Sequence, residues 1–246
     1  MTVTGKPHNA ACVRSISKQI ILGVDFFPLQ GIVHCDLQPA NILVSRVSSA
    51  QVEMPLEPPG FSPVRWLDGI PADNSAPRCL LPTQRRRGQL DGADASELFV
   101  KIGDLGSVVL GQEPDRIARP VTLIALRAPG PINRKPWNKG IDVWALGCLI
   151  FELATNEPLF PLETFGLSAK EVDEEHLRLI SQLLDGEGLV AHLTDKLPAD
   201  FGAENARNLA CFLAMMLQQD PGRRMAAAEL LKQPFVIGDI EGQTSN

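Results

Sequence analysis

The stretch "GIVHCDLQPANILV", residues 31–44, decides how this chain is read. Two short apolar runs, "GIV" and "ILV", flank the polar segment "HCDLQPAN". Each run is β-prone and too short for a helix. His34, Asp36, Gln38 and Asn41 therefore belong to a tight loop between two strands. Pro39 fixes one backbone dihedral and stiffens that loop. A carboxylate held in this way is fixed and partly desolvated, so Asp36 can take a proton from a substrate hydroxyl. Asn41, five residues on, offers a carbonyl oxygen suited to a hard cation such as Mg2+.

A second strand, "LFVKIGDLG" at 98–106, ends in a polar turn that holds Asp104 before Gly106. If it pairs with "ILV", Asn41 and Asp104 can share one metal. A base beside a two-ligand metal clamp is what phosphoryl transfer needs, since its catalysis is mostly positioning and charge neutralisation. Taken singly, each of these residues reads first as a structural turn residue.

Further out, the periodicity predicts helices. Val13, Ile16, Ile20, Val24 and Phe27 recur at helical spacing over 9–27, with Asn9 as cap and Pro28 as stop. Residues 107–136 read as loop. "GIDVWALGCLIFELATN" (140–156) is apolar nearly all round, so a central helix is expected. Amphipathic helices follow at 169–184 and 203–219, and a last one at 223–235 ended by Pro234. Between 45 and 98 the character changes. Pro55, Pro58, Pro59, Pro63, Pro71, Pro77 and Pro82 interrupt any regular element, and "QRRRG" adds a solvated basic run. That segment is expected to be a largely disordered insertion.

Composition excludes several classes. The chain has 246 residues, 44% of them hydrophobic, which suffices for one or two folded domains. A net charge of −6 argues against a nucleic-acid partner. Cys12, Cys35, Cys79, Cys148 and Cys211 are scattered without a C-x-x-C, so neither zinc site nor disulfide framework is expected. The N-terminus lacks the apolar core of a signal peptide, and no run is long enough to span a membrane. These features predict a soluble intracellular protein, cytoplasmic or nuclear, with no membrane contact.

With these elements in order, five short motifs resemble those of eukaryotic-type protein kinases. "HCDLQPAN" is similar to the catalytic loop H-R-D-L-x-x-x-N, and "DLG" (104–106) to D-F-G. "RAPG" (127–130) is similar to the end of the activation segment, where A-P-E is usual. "DVWALGC" (142–148) resembles the central helix of the large lobe, and "DPGRR" (220–224) the D-P-x-x-R before the last helix. The resemblance covers about 9–44 and 98–236, and its detail looks most similar to the SR-protein kinase branch and its fungal relatives. It implies a mainly α fold with small β elements: a kinase-like large lobe, a helical bundle with short β-hairpins at the catalytic loop. Residues 1–44 would form its first helix and catalytic loop, 45–98 an insertion, 99–236 the remainder and 237–246 a tail.

The resemblance also implies roles. Asp36 would orient and deprotonate a Ser or Thr hydroxyl, with ATP as phosphoryl donor. Asn41 and Asp104 would bind Mg2+, and Leu43 would form the floor under the adenine. His34 would pack against the D-L-G turn, and Asp142 would brace the catalytic loop. The partner would be a protein substrate, with an Arg/Ser-rich one suggested by the branch. "EVDEE" (171–175) would either attract such a basic chain or balance its helix dipole.

Several positions depart from the family pattern. Gln38 stands in the catalytic loop where the family has Lys, so a charge beside the transferring phosphate is lost. Cys35 replaces the Arg that grips a phosphorylated activation segment. Gly130 replaces the Glu that would pair with Arg224, and Pro131 then removes a helix start. A buried Arg224 would need another acceptor. No G-x-G-x-x-G precedes His34, so the fold is expected to be incomplete, with the small lobe absent and its face left for a partner to cover. The isolated chain is then expected to bind ATP·Mg weakly or not at all. Two functions follow: a serine/threonine kinase represented by its large lobe, or a truncated pseudokinase acting as a non-catalytic binding or regulatory module.

Overall fold

A computed structural model of the chain describes residues 8–46, 60–66, 68–69, 77–80, 94–110, 120–184 and 188–238. Helix α1 (Ala10–Leu29) opens as expected: Asn9 is extended, and its side chain accepts the Cys12 amide at 2.9 Å. Val13, Ile16, Ile20 and Val24 point into the core. The helix runs one residue past Pro28 instead of stopping there. A proline in the last turn forfeits a single helical bond, and the Gln30 and Gly31 amides still cap Phe27 and Pro28 at 3.0 and 3.1 Å. Gly31, at φ +66°, turns the chain out of the helix.

Among the described residues six short strands follow: β1 (Ile32–Val33), β2 (Ile42–Arg46), β3 (Ser62–Pro63), β4 (Cys79–Leu80), β5 (Leu98–Ile102) and β6 (Val109–Leu110). They form three antiparallel pairs, β1 with β6, β2 with β5 and β3 with β4. In the longest pair Ile42 faces Ile102 and Val44 faces Val100. Its edge is covered by α1: the Gln19 amide donates to the Leu98 carbonyl and accepts the Val100 amide, both at 2.9 Å. One side chain thus pairs with β5 as a neighbouring strand would.

The remainder is helical: α2 (Pro129–Ile132), α3 (Gly140–Thr155), α4 (Ala169–Leu184), α5 (Gly188–Thr194), α6 (Ala203–Met216), α7 (Ala227–Leu230) and α8 (Pro234–Ile237). Helix α3 is the centre expected from its composition; every residue from Ile141 to Phe151 is buried. Gly147 lets α6 approach it closely, since a Cβ there would lie 3.0 Å from Leu217. Among the described residues no helix is long and apolar enough to cross a membrane.

Four expectations are corrected. The stretch 107–136 is not all loop: β6 supplies the partner of β1, and α2 forms one helical turn. Pro131 does not remove a helix start, because α2 opens at Pro129 with both prolines in its first turn, where missing N–H groups cost nothing. Residues 223–235 hold two short helices, and Pro234 begins α8 instead of ending its predecessor, for the same reason. Helix α5 was not expected at all. Most of the Pro-rich segment and "QRRRG" lies outside the described residues, as does 239–246; within it, β3 and β4 pair through Ser62–Leu80 and Pro63–Cys79.

Candidate active site

The polar loop after β1 is built on Asp142, at the N-terminal end of the buried helix α3. Its two carboxylate oxygens accept successive backbone amides, His34 N–H at 2.7 Å and Cys35 N–H at 2.9 Å. Burial pushes the Asp142 pKa up to about 6, against the lowering effect of those two hydrogen bonds. The loop is thereby fastened to the buried helix α3, the contact that a bracing role for Asp142 requires.

His34 is completely buried and joins two loops. Its Nε2 lies 3.2 Å from the Gly103 carbonyl, and its Nδ1 is 3.3 Å from the Asp36 amide. A carbonyl only accepts and an amide only donates, so the ring is the neutral Nε2–H tautomer. The Phe27 ring packs on it at 5.5 Å. Cys35 sits at φ +66°, a left-handed conformation that a residue with a Cβ adopts at a cost.

Asp36 is 7% exposed. Gln38 Nε2 donates to its Oδ2 at 2.8 Å, and Asn41 Nδ2 donates to the same oxygen at 3.2 Å. Asn41 Nδ2 also donates to the Asp36 carbonyl at 2.9 Å. Both amide donors are neutral and converge on Oδ2, and Oδ1 receives neither. With its nitrogen occupied in this way, the acceptor left to Asn41 is its Oδ1. Asn41 belongs to a single 3₁₀ turn, Pro39–Asn41, opened by Pro39.

The pairing of β2 with β5 brings Asp104 alongside. Its register continues into the turn, where the Gly103 amide donates to the Asn41 carbonyl at 2.8 Å. Asp104 is exposed and left-handed at φ +62°, with Oδ1 near the Gly106 amide at 3.4 Å. Asn41 and Asp104 thus flank the same end of one hairpin. An amide oxygen and a carboxylate are hard donors that fit Mg2+, which takes few protein ligands and fills its shell with phosphate and water. Leu43, two residues after Asn41 on β2, is 58% exposed. All five site residues read from the sequence therefore occur around one hairpin and one loop.

Two features were not legible in the sequence. Thr122, from a segment read only as loop, donates its hydroxyl to the Cys35 carbonyl; nothing in its spacing marks it. The acceptors of Arg224 are backbone carbonyls, Gln218 at 2.8 Å, Gly140 at 2.9 Å and Gln219 at 3.2 Å, and its guanidinium lies 5.1 Å from the Trp144 ring centroid. Burial lowers its pKa to about 10. The acidic run of α4 is largely engaged within its own helix. Ser168 and Glu171 form a reciprocal cap at 2.8 and 3.3 Å, and Glu175 pairs with Arg178. A cleft of about 810 Å3 between α1, β1, α3 and α7 borders Asp142, but Asp36, Gln38, Asn41, Leu43 and Asp104 do not line it.

Comparison with known proteins adds the following. The model of the protein kinase domain family matches residues 88–236, more than half of the chain, including Asp104 and Arg224. The serine/threonine-protein kinase SRPK of Physarum polycephalum is 26% identical over 91% of this chain and 60% of its own length. The serine/threonine-protein kinase SKY1 of Saccharomyces cerevisiae is 28% identical over 56% of this chain and 22% of its own. A cyclin-dependent kinase 2 homolog of Crithidia fasciculata is 25% identical over 68% and 38%. The chain thus spans less than two thirds of each of these relatives.

Proposed function

This chain belongs to the protein kinase domain family, and from that premise we propose that it is the large lobe of a serine/threonine kinase with Asp36 as its base. The observation that carries this reading is the Asp36 carboxylate, which is buried, anchored through Oδ2 by Gln38 and Asn41, and set beside the hairpin that ends in Asp104. Asp36 Oδ1 takes the proton of a Ser or Thr hydroxyl as the hydroxyl oxygen bonds to the γ-phosphorus of ATP, and the bond from that phosphorus to the β,γ-bridging oxygen breaks to release ADP. Asn41 Oδ1 and the Asp104 carboxylate would hold Mg2+, which neutralises phosphate charge. Leu43 offers apolar surface to the adenine.

Residues 1–44 and 99–236 form one lobe around the 45–98 insertion; the pairing of β2 with β5 and of β1 with β6 across that segment supports this. The substrate is a protein, Arg/Ser-rich by the likeness to the SR-protein kinase branch, met in an intracellular compartment. Exposed Leu22, Phe26 and Leu29 on α1 support a small lobe or partner seated over that side.

A second reading, a non-catalytic binding module, is favoured by one specific observation. The group beside Asp36 is the neutral Gln38 amide, which brings no charge to a transferring phosphate. The test uses the natural full-length protein with ATP, Mg2+ and an alternating Arg/Ser peptide. Label transferred from the γ-phosphate to serine is the expected result. Replacing Gln38 by Lys is expected to raise that rate by about 10²-fold. Transfer by Gln38→Lys alone, with none by the wild type, would select the non-catalytic reading.

A further inference from the structure

We propose that the cleft between α1, β1, α3 and α7 binds a short peptide segment of a partner protein, one whose apolar residues lie between a basic and an acidic side chain. The proposal stands apart from the reading of Asp36, since Asp36, Asn41 and Asp104 do not line this cleft. At about 810 Å3 the cleft has the size of a ligand site. Its walls are largely apolar, with Val24, Pro28 and Leu29 from α1, Ile32 and Val33 from β1, and Met225 ahead of α7.

Four charged side chains also line it, and what each already holds separates them. Asp142 accepts the His34 and Cys35 amides with its two oxygens, and Arg224 donates to three carbonyls. Asp25 and Lys139 hold no hydrogen bond or ion pair among the described residues, with each other or with any third group. Asp25 is half-buried and Lys139 is exposed. A half-buried carboxylate without a partner favours a cation that arrives together with apolar surface, because filling the cleft removes the water that screens the pair. The wall therefore matches a ligand with one cation for Asp25, one anion for Lys139 and apolar groups between them.

Two features favour an extended peptide over a compact molecule. Among the described residues β1 and β6 pair only with one another, and Ile32, Val33 and Val109 bring both strands to the cleft. A two-stranded pair leaves strand edges whose main-chain groups a further extended chain can use. Gly31, at φ +66°, would have no neighbouring atom within 4 Å of a Cβ, so bare backbone forms the wall where α1 passes into β1. A compact apolar molecule has no main chain to offer to either feature.

The test titrates acetyl-Arg-Leu-Leu-Glu-amide, and its analogues with one and three leucines, into the full chain and follows binding by calorimetry. Saturable binding of at least one of them is expected, with a Kd below about 1 mM. Asp25→Asn is expected to weaken that peptide about tenfold while leaving its analogue with Gln in place of Arg unchanged. Lys139→Gln is expected to act in the same way on the Glu end. Ala228→Trp, at an exposed position of α7 that lines the cleft, fills it and is expected to abolish binding at an unchanged melting temperature. No binding by the wild type at that concentration would overturn the proposal. So would charge variants that bind as the wild type does or lose charged and neutral peptides equally, and so would full binding by Ala228→Trp. A wild type that is dimeric and becomes monomeric in Ala228→Trp would assign the cleft to a second copy of this chain and overturn the peptide. None of these readings depends on phosphoryl transfer, so they stand or fall separately from Asp36.

Discussion

Asp142 and His176 are both buried ionisable side chains, and burial moves their titrations in opposite senses. Asp142 rises to about 6 in the fold from an ordinary 3.8, so the folded state holds its proton longer. The stability it contributes is complete below pH 3.8 and is lost as pH rises through 6. His176, on α4 against Phe160, is lowered to about 4 by burial and then by the Arg127 charge, with Asp173 opposing. Its contribution is complete above pH 6.5 and is lost as pH falls through 4. Each change is on the order of 3 kcal/mol, so the two offset one another between pH 4 and 6. Replacing His176 by Leu removes one side of that balance. Urea midpoints taken from pH 6.5 to 4 are expected to shift steadily in favour of the variant relative to wild type; a constant difference would exclude His176 as a titrating group.

At the scale of elements, two glycines make opposite predictions. A Cβ at Gly130, in α2, would meet nothing closer than the Pro136 carbonyl at 3.8 Å. Gly130→Ala should stabilise by about 0.4–1 kcal/mol, chiefly by restricting the unfolded chain. At Gly147 the same methyl meets buried Leu217 at 3.0 Å and the Met216 Cβ at 3.2 Å, between α3 and α6. Gly147→Ala should cost about 1–3 kcal/mol by overpacking. Denaturant melts of both variants check the pair, and equal signs would contradict the packing described. The elements most legible in sequence were those with strong local signals. Asn9 marked the start of α1, the apolar run of α3 marked a central helix, and α4 was bounded at its actual ends by its amphipathic pattern. The candidate site residues Asp36, Asn41 and Asp104 were legible because they lie on short motifs, and the β2–β5 pairing brings Asn41 and Asp104 to one end of the strand pair. What was not legible depends on tertiary contact. Helix α5 is a seven-residue turn with little periodicity of its own, and β6 is two residues whose identity as a strand comes from β1. The left-handed backbone at Cys35 and Asp104 is not announced in the sequence, since neither residue is a glycine.

Over the whole molecule, Arg224 ties the start of α3 to the segment that follows α6. The missing Glu at position 130 suggested an orphaned cation, yet three carbonyls and the Trp144 face supply its environment. Restoring that Glu should therefore add nothing through Arg224. In a double-mutant cycle of Gly130→Glu with Arg224→Leu, the coupling is expected to stay within about 0.5 kcal/mol, whereas Arg224→Leu alone costs about 3 kcal/mol. A coupling of several kcal/mol would mean that Arg224 leaves those carbonyls for a carboxylate. Chain segments far apart in sequence meet in the same way at the loop, where α3 holds His34 and Cys35 and β5 leads to Asp104 beside Asn41. We infer that this assembly presents Asp36 as the base of phosphoryl transfer. The most direct test is the rate of γ-phosphate transfer from ATP to an Arg/Ser peptide by the natural full-length protein and its Asp36→Asn variant. A loss of about 10²–10⁴-fold at an unchanged melting temperature is the predicted result. An Asn variant that transfers phosphate at the wild-type rate would contradict it.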